Sequence, residues 1–238
     1  MDKITLIREY LHRLGIDLIR YHPEVHPLAR RMRLLAKHRI DMVFDVGANT
    51  GQFAREIRTH GYHGPIVSFE PMTEAFRILS ERFRPDPLWK GENFALGETE
   101  GQARIHISQN SFSSSILDIL PSHVRSAPAS SCSGQETINV RTLDSVISGY
   151  SPKKFYVKID TQGFEDRVLN GAQQCLHRIV GIQIEMSFVP LYEGQVLFLD
   201  LFKRLTNNGF TLMALEPGFA DPGTDQLLQA DGIFYRSP

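Results

Sequence analysis

The chain has 238 residues, 42% hydrophobic and 22% charged, the composition of an ordinary soluble globular domain. Its formal net charge of −1 excludes a protein drawn to nucleic acid by bulk charge. The two cysteines, Cys132 and Cys175, show no metal-like spacing and suit a reducing compartment. With no signal-peptide pattern and no apolar run of about 18 residues, the expectation is a cytoplasmic protein without a transmembrane segment.

Residues 1–39 differ from the rest. Ile4, Ile7, Leu11, Leu14 and Leu18 recur at helical spacing, and Leu28, Met32 and Leu35 form a second helical pattern after Pro27. Nine basic residues face four acidic ones in this segment. The pattern predicts an N-terminal helical extension that caps the core with a solvated basic face. Weak peripheral contact with anionic lipid and a homodimer contact are the alternatives for the same helix.

The run Val43-Phe44-Asp45-Val46 then reads as a buried strand, entering the turn Gly47-Ala48-Asn49-Thr50-Gly51. Helical periodicity resumes from Gln52, with Phe53 and Ile57 on one face. Strand, glycine turn and helix make the first half of a nucleotide-binding βαβ unit, with helix N–H groups directed at the turn. The G-x-x-x-G spacing is not the G-x-G-x-x-G of dinucleotide sites, and no P-loop lysine follows. A second strand, Ile66 to Phe69, ends at Glu70-Pro71, where a carboxylate can take both hydroxyls of a ribose. A ligand with a ribose and no phosphate suits this pair. S-adenosyl-L-methionine is one, its amino-acid end at Asp45 and the turn, its ribose at Glu70.

Thr73 is a candidate cap for a helix carrying Phe76, Leu79 and Phe83, which stops near Arg84-Pro85. A third strand is predicted near Glu92 to Leu96, closed by Gly97. Ala103, Ile105 and Ile107 then alternate opposite Ile138 and Val140 as a strand pair. Between them lies a Ser-rich stretch, residues 109–136, read as a flap over the site. The strands Phe155 to Ile159 and Val180 to Ile184 end at Asp160 and Glu185. A helix through Phe198 and Leu205 stops at Asn208-Gly209, and Phe210 to Leu215 and Gly232 to Tyr235 complete the strands. The order predicts a doubly wound, Rossmann-like, seven-stranded and mostly parallel sheet over residues 40–238, closed by an antiparallel pair. Asp45, Glu70, Asp160 and Glu185 would share its carboxyl edge as an acidic mouth, fit for a cationic sulfonium and also for a divalent metal.

These residues resemble the FkbM-type S-adenosylmethionine-dependent methyltransferases. The resemblance rests on Phe44-Asp45-Val46-Gly47-Ala48-Asn49-Thr50-Gly51, Phe69-Glu70-Pro71, Asn93-Phe94-Ala95-Leu96-Gly97 and Thr142-Leu143-Asp144. Lys158-Ile159-Asp160-Thr161-Gln162-Gly163-Phe164-Glu165, Ile184-Glu185 and the final Asp231-Gly232-Ile233-Phe234-Tyr235 continue it. It implies methyl transfer to a hydroxyl, often on a sugar or polyketide-like natural product. It also implies cofactor contacts at Asp45, Gly47, Asn49, Thr50, Gly51, Glu70, Pro71, Asn93, Ala95 and Asp160. Gln162 stands where many members have Glu, which weakens a metal-dependent version, and no metal ligand is assigned.

An alcohol needs a base to take its proton. Asp160 and Glu185 are the leading candidates, with His123 in the flap as the histidine alternative. Phe112, Phe188 and Tyr192 are aromatics near the mouth able to stack on a sugar ring. The partner is a small-molecule or glycan acceptor, not nucleic acid, because the basic residues cluster at the N-terminus. An NAD-type oxidoreductase and a non-catalytic nucleotide-binding scaffold are the competing classes.

Overall fold

A computed structural model describes residues 3–16, 22–151 and 154–236 of the chain. Two helices precede the sheet, α1 (Lys3–Arg13) and α2 (Pro27–Lys37). They behave differently. α2 buries Leu28, Arg31, Leu34 and Leu35, whereas α1 leaves Leu6, Ile7 and Tyr10 exposed. Among the described residues the capping role therefore belongs to α2; Leu18, which the periodicity also places on the first helix, lies outside them.

The strand β1 (Met42–Val46) is central in the sheet, paired on both edges, and is buried at every position because core clusters cover both faces of the sheet. It is followed by α3 (Gln52–Thr59), β2 (Ile66–Phe69), α4 (Thr73–Phe83) and β3 (Trp89–Glu92). A small second sheet comes next: β4 (Ala95–Leu96), β5 (Gly101–Ser108) and β6 (Cys132–Arg141), with α5 (Pro121–Ser126) between the last two. The chain then returns through α6 (Leu143–Ile147), β7 (Phe155–Ile159), α7 (Glu165–Asn170) and β8 (Ile179–Ser187). It ends with α8 (Phe198–Asn207), β9 (Phe210–Pro217) and β10 (Gln229–Arg236).

The main sheet has seven strands in the order β3-β2-β1-β7-β8-β10-β9. Only β10 runs against its neighbours, pairing antiparallel with β8 and β9. The alternation of side chains divides the core. Phe44, Val46, Val157 and Ile184 pack against α6, α7 and α8, while Val43, Tyr156 and Tyr235 pack against α2, α3 and α4. Strand order reverses between β1 and β7, and a crevice opens at their carboxyl ends. No helix among the described residues is long and apolar enough to cross a membrane.

Three local expectations are corrected. The strand placed near 92–96 is divided: Glu92 ends β3 in the main sheet, and Ala95-Leu96 pairs with β6 in the small one. Asn93 makes the break, its Nδ2 donating to the carbonyls of Glu70 (2.9 Å) and Pro71 (3.0 Å). The flap is shorter than 109–136, because residues 132–136 are already in β6 and α5 lies within it. Thr73 is not the cap of α4: Met72 holds that position, and the Glu136 carboxylate accepts the Thr73 N–H (3.2 Å) from across the small sheet. An acceptor on a neighbouring strand does the work that a local side chain does elsewhere.

Candidate active site

A cavity of about 450 Å³ lies at the crevice, within the size range of cofactor pockets. Its floor is the turn after β1. Gly47 has φ +73°, and a Cβ there would lie 1.9 Å from the Asp160 carbonyl oxygen. The turns after β1 and β7 thus touch backbone to backbone, which only glycine permits. Asn49 also has positive φ (+48°), its N–H donates to Glu70 Oε2 (2.7 Å), and its Nδ2 reaches the Ser111 carbonyl (3.3 Å). Gly51 does not line the cavity; its φ of +88° and its packing against Leu79 and Phe83 belong to the start of α3. Thr50 is likewise outside, its carbonyl taken by Arg82.

Glu70 stands at the rim after β2. Its two oxygens accept N–H groups from Asn49 and from Met72 (3.0 Å), which fixes the carboxylate plane. Burial pushes its pKa up to about 7, against the opposing pull of those two N–H groups and of Lys158. The folded protein therefore holds a proton between pH 4.5 and about 7 that the unfolded chain has released. The resulting stabilisation is full below 4.5 and lost as pH rises through 7. A diol must donate to the ionised form. Affinity for a ribose ligand is expected to rise from pH 6 to 8, and Glu70→Gln should weaken it roughly tenfold and remove the inflection near 7. Titration calorimetry across that range is the check.

Asp45 corrects the reading of a cofactor contact. It lies within β1, is fully buried, and does not line the cavity. Its carboxylate sits beneath the turn, 3.4 Å from Lys158 Nζ and 3.4 Å from Ser68 Oγ. Lys158 donates to the Gly47 carbonyl (3.1 Å) and lies 3.4 Å from Asp160 Oδ2. Burial opposes the lysine charge, but Asp160, Asp45 and Asp231 outweigh it and raise its pKa. Asp45 acts through Lys158, and Lys158 positions the glycine turn. Asn93 is similarly indirect: outside the lining, it anchors the chain on either side of Pro71. Pro71 and Ala95 do line the cavity.

Of the candidate bases, Asp160 alone lines the cavity. Glu185 is not at a strand end, because antiparallel pairing of Gln229 with Ser187 extends β8 beyond it. It is screened from the cavity by two amides: Gln162 Nε2 (2.9 Å) and Gln229 Nε2 (2.7 Å) both donate to its Oε2. Burial, together with Asp160, Glu165 and Asp231, raises its pKa well above the carboxylate range. His123 is also misplaced as a base. It is buried in α5 against Tyr192 (ring centroids 5.1 Å) and Phe219 (5.6 Å), away from the cavity, and burial lowers its pKa to about 4.

Gln162 is the joint of the site. In a left-handed conformation (φ +56°), it donates from Nε2 to Asp160 Oδ1 (2.8 Å) as well as to Glu185. Its Oε1 lies 2.7 Å from the Tyr192 hydroxyl, and its carbonyl accepts from Ser115 Oγ (2.7 Å) in the flap. A glutamate here would set a third carboxylate between two others; the amide instead supplies a donor to each. Gln162→Glu should therefore lower the melting temperature more at pH 8 than at pH 6, as two melting curves would read directly.

The flap reaches the cavity through Ser111, Ser115 and Phe112, the last 60% exposed. Phe188 packs on Phe198 (5.0 Å) and Tyr192 is buried, so Phe112 is the aromatic left at the mouth. Sequence reasoning misses Arg31, Gln183 and Asp231 as lining residues. Arg31 sits in a stretch read as a solvated basic face, and its burial among α2 apolar positions is the signal that spacing alone could have supplied.

The sequence model of the Methyltransferase FkbM domain matches residues 45–212, more than half of the chain. The chain belongs to the FkbM methyltransferase family. Among solved structures it is similar to the methyltransferase FkbM from Methylobacillus flagellatus KT, at 16% identity and a TM-score of 0.51. That likeness covers 81% of this chain and 43% of the other, so the chain spans less than half of that structure's length. The magnesium protoporphyrin IX methyltransferase from Synechocystis PCC 6803, solved with bound SAM, aligns over 100% of this chain and 98% of its own at 10% identity and a TM-score of 0.49. No curated protein matches the chain. At 16% identity the Methylobacillus flagellatus structure speaks for the fold alone, the seven-stranded sheet described above.

Proposed function

We propose that this FkbM-family protein is an S-adenosylmethionine-dependent O-methyltransferase acting on a hydroxyl of a sugar, glycan or natural-product acceptor. The observation that carries the reading is one cavity holding an oriented rim carboxylate, Glu70, and a reachable carboxylate, Asp160. The residues fit the cofactor: Glu70 would hold the ribose, and Pro71, Ala95 and the Gly47 turn would line the rest of its site. The cofactor, when bound, supplies an electrophilic methyl group on a sulfonium. Asp160 takes the acceptor hydroxyl proton onto a carboxylate oxygen, held in place by Gln162 Nε2 and Lys158 Nζ. The flap residues Ser111, Phe112 and Ser115 close the acceptor side and exclude water.

Calorimetric titration of the purified chain with S-adenosylmethionine, with NAD in parallel, tests this. Saturable binding of the former alone supports the reading; NAD binding replaces it with an oxidoreductase, and binding of neither leaves a scaffold.

A further inference from the structure

The lining residues follow the strand order of the sheet: Glu70 after β2, Gly47 after β1, Lys158 on β7 with Asp160 just after it, Gln183 on β8 and Asp231 on β10. The Glu70 end suits a ribose. The opposite end carries Arg31 from α2, Asp231, Gln183 and the Phe53 ring. This end is unusual in three ways. Arg31 is 6% exposed, yet its Nε–H has no partner among the described residues. One edge of its guanidinium is held by Glu216 (2.5 Å), whose side chain is 12% exposed, and the other by Glu56, whose side chain is 42% exposed. Among the described residues Asp231 receives a single side-chain hydrogen bond, from Gln183 Nε2 at 3.1 Å, although a carboxylate accepts several.

A buried guanidinium donor and a partly buried, under-used carboxylate in one cavity are costly to leave unmatched. A ligand group carrying both charges would satisfy the two together and add no net charge to the interior. We propose that this end of the cavity is a clamp for an α-amino acid group, its carboxylate against Arg31 and its ammonium against Asp231, and that the group is the amino-acid end of the methyl donor. The proposal rests on the cofactor reading above. It moves the amino-acid end away from Asp45, which is sealed beneath the turn, and makes a residue from the N-terminal helices, outside the matched family domain, part of the binding site.

The test compares S-adenosylhomocysteine, which carries the amino-acid end, with 5′-methylthioadenosine, which lacks it. Both are titrated calorimetrically into the full chain and into its Arg31→Lys and Asp231→Asn variants. Each variant should bind S-adenosylhomocysteine at least about tenfold more weakly while binding 5′-methylthioadenosine within about twofold of the parent. Asp231→Asn keeps size and shape, so it carries the test if Arg31→Lys fails to fold. Equal losses for both ligands, or an unchanged S-adenosylhomocysteine affinity, would overturn the clamp and leave the cofactor reading standing. A parent chain that binds neither ligand overturns both.

Discussion

Replacing Asp160 with Asn is expected to lower turnover by roughly 10²–10⁴-fold, the range for loss of a positioned proton acceptor, while cofactor affinity stays within a few-fold. The separation follows from the geometry. Asparagine keeps an oxygen for Gln162 Nε2, which now bonds Asp160 Oδ1 at 2.8 Å, so the turn 160–163 retains its shape. The backbone contact with Gly47 involves the Asp160 carbonyl and is untouched by the side chain. Lys158 loses one of its two carboxylate neighbours but keeps Asp45 at 3.4 Å and the Gly47 carbonyl at 3.1 Å. Single-turnover methylation of an accepted hydroxyl, beside calorimetry on the same samples, reads both quantities. Unimpaired turnover would place the base elsewhere; Glu185 would then have to reach the cavity by release from Gln162 and Gln229.

The second large effect is on structure. Gly47→Ala should destabilise the fold by roughly 2–4 kcal/mol and abolish cofactor binding. About 1–2 kcal/mol is the cost of an L-residue in the left-handed region. The remainder is the forced separation of the two turns, since the new Cβ meets a backbone carbonyl at 1.9 Å and backbone cannot rotate away. For a chain of this size the melting temperature should fall by roughly 5–15 °C. Gly61→Ala supplies the control: its φ is +96°, but nothing lies within 4 Å of the added methyl. It should cost about 1 kcal/mol and leave binding intact. Equal effects at the two positions would mean that backbone conformation alone, not the contact between turns, governs position 47.

The strand–turn–helix from Val43 to Ile57, the acid after β2, the acid after β7 and the parallel order with a final antiparallel pair are all legible from sequence. They are local signals: apolar runs of strand length, glycines at a fixed interval, a carboxylate at the end of a run. Each depends on residues a few positions apart, and such patterns survive translation into structure because backbone geometry dictates them. The same locality explains where the reading goes astray. Glu185 looks like Asp160 when each strand is read alone, and only the pairing of β8 with β10 shows that it lies inside the ladder. His123 sits in a Ser-rich stretch with no periodicity, so nothing nearby in sequence tells of Tyr192 and Phe219 around it.

What the sequence by itself determined is the kind of machine: a doubly wound sheet with a glycine turn and a rim carboxylate at its carboxyl edge, in the FkbM family. What only the tertiary structure decided is which charges face the cavity. Asp45 and Glu185 are withdrawn behind Lys158, Gln162 and Gln229, while Arg31 and Asp231, 200 positions apart in the numbering, come to its far end. Burial and partner choice are set by contacts between distant segments. A carboxylate's availability is therefore written in the packing around it and not in the residues on either side.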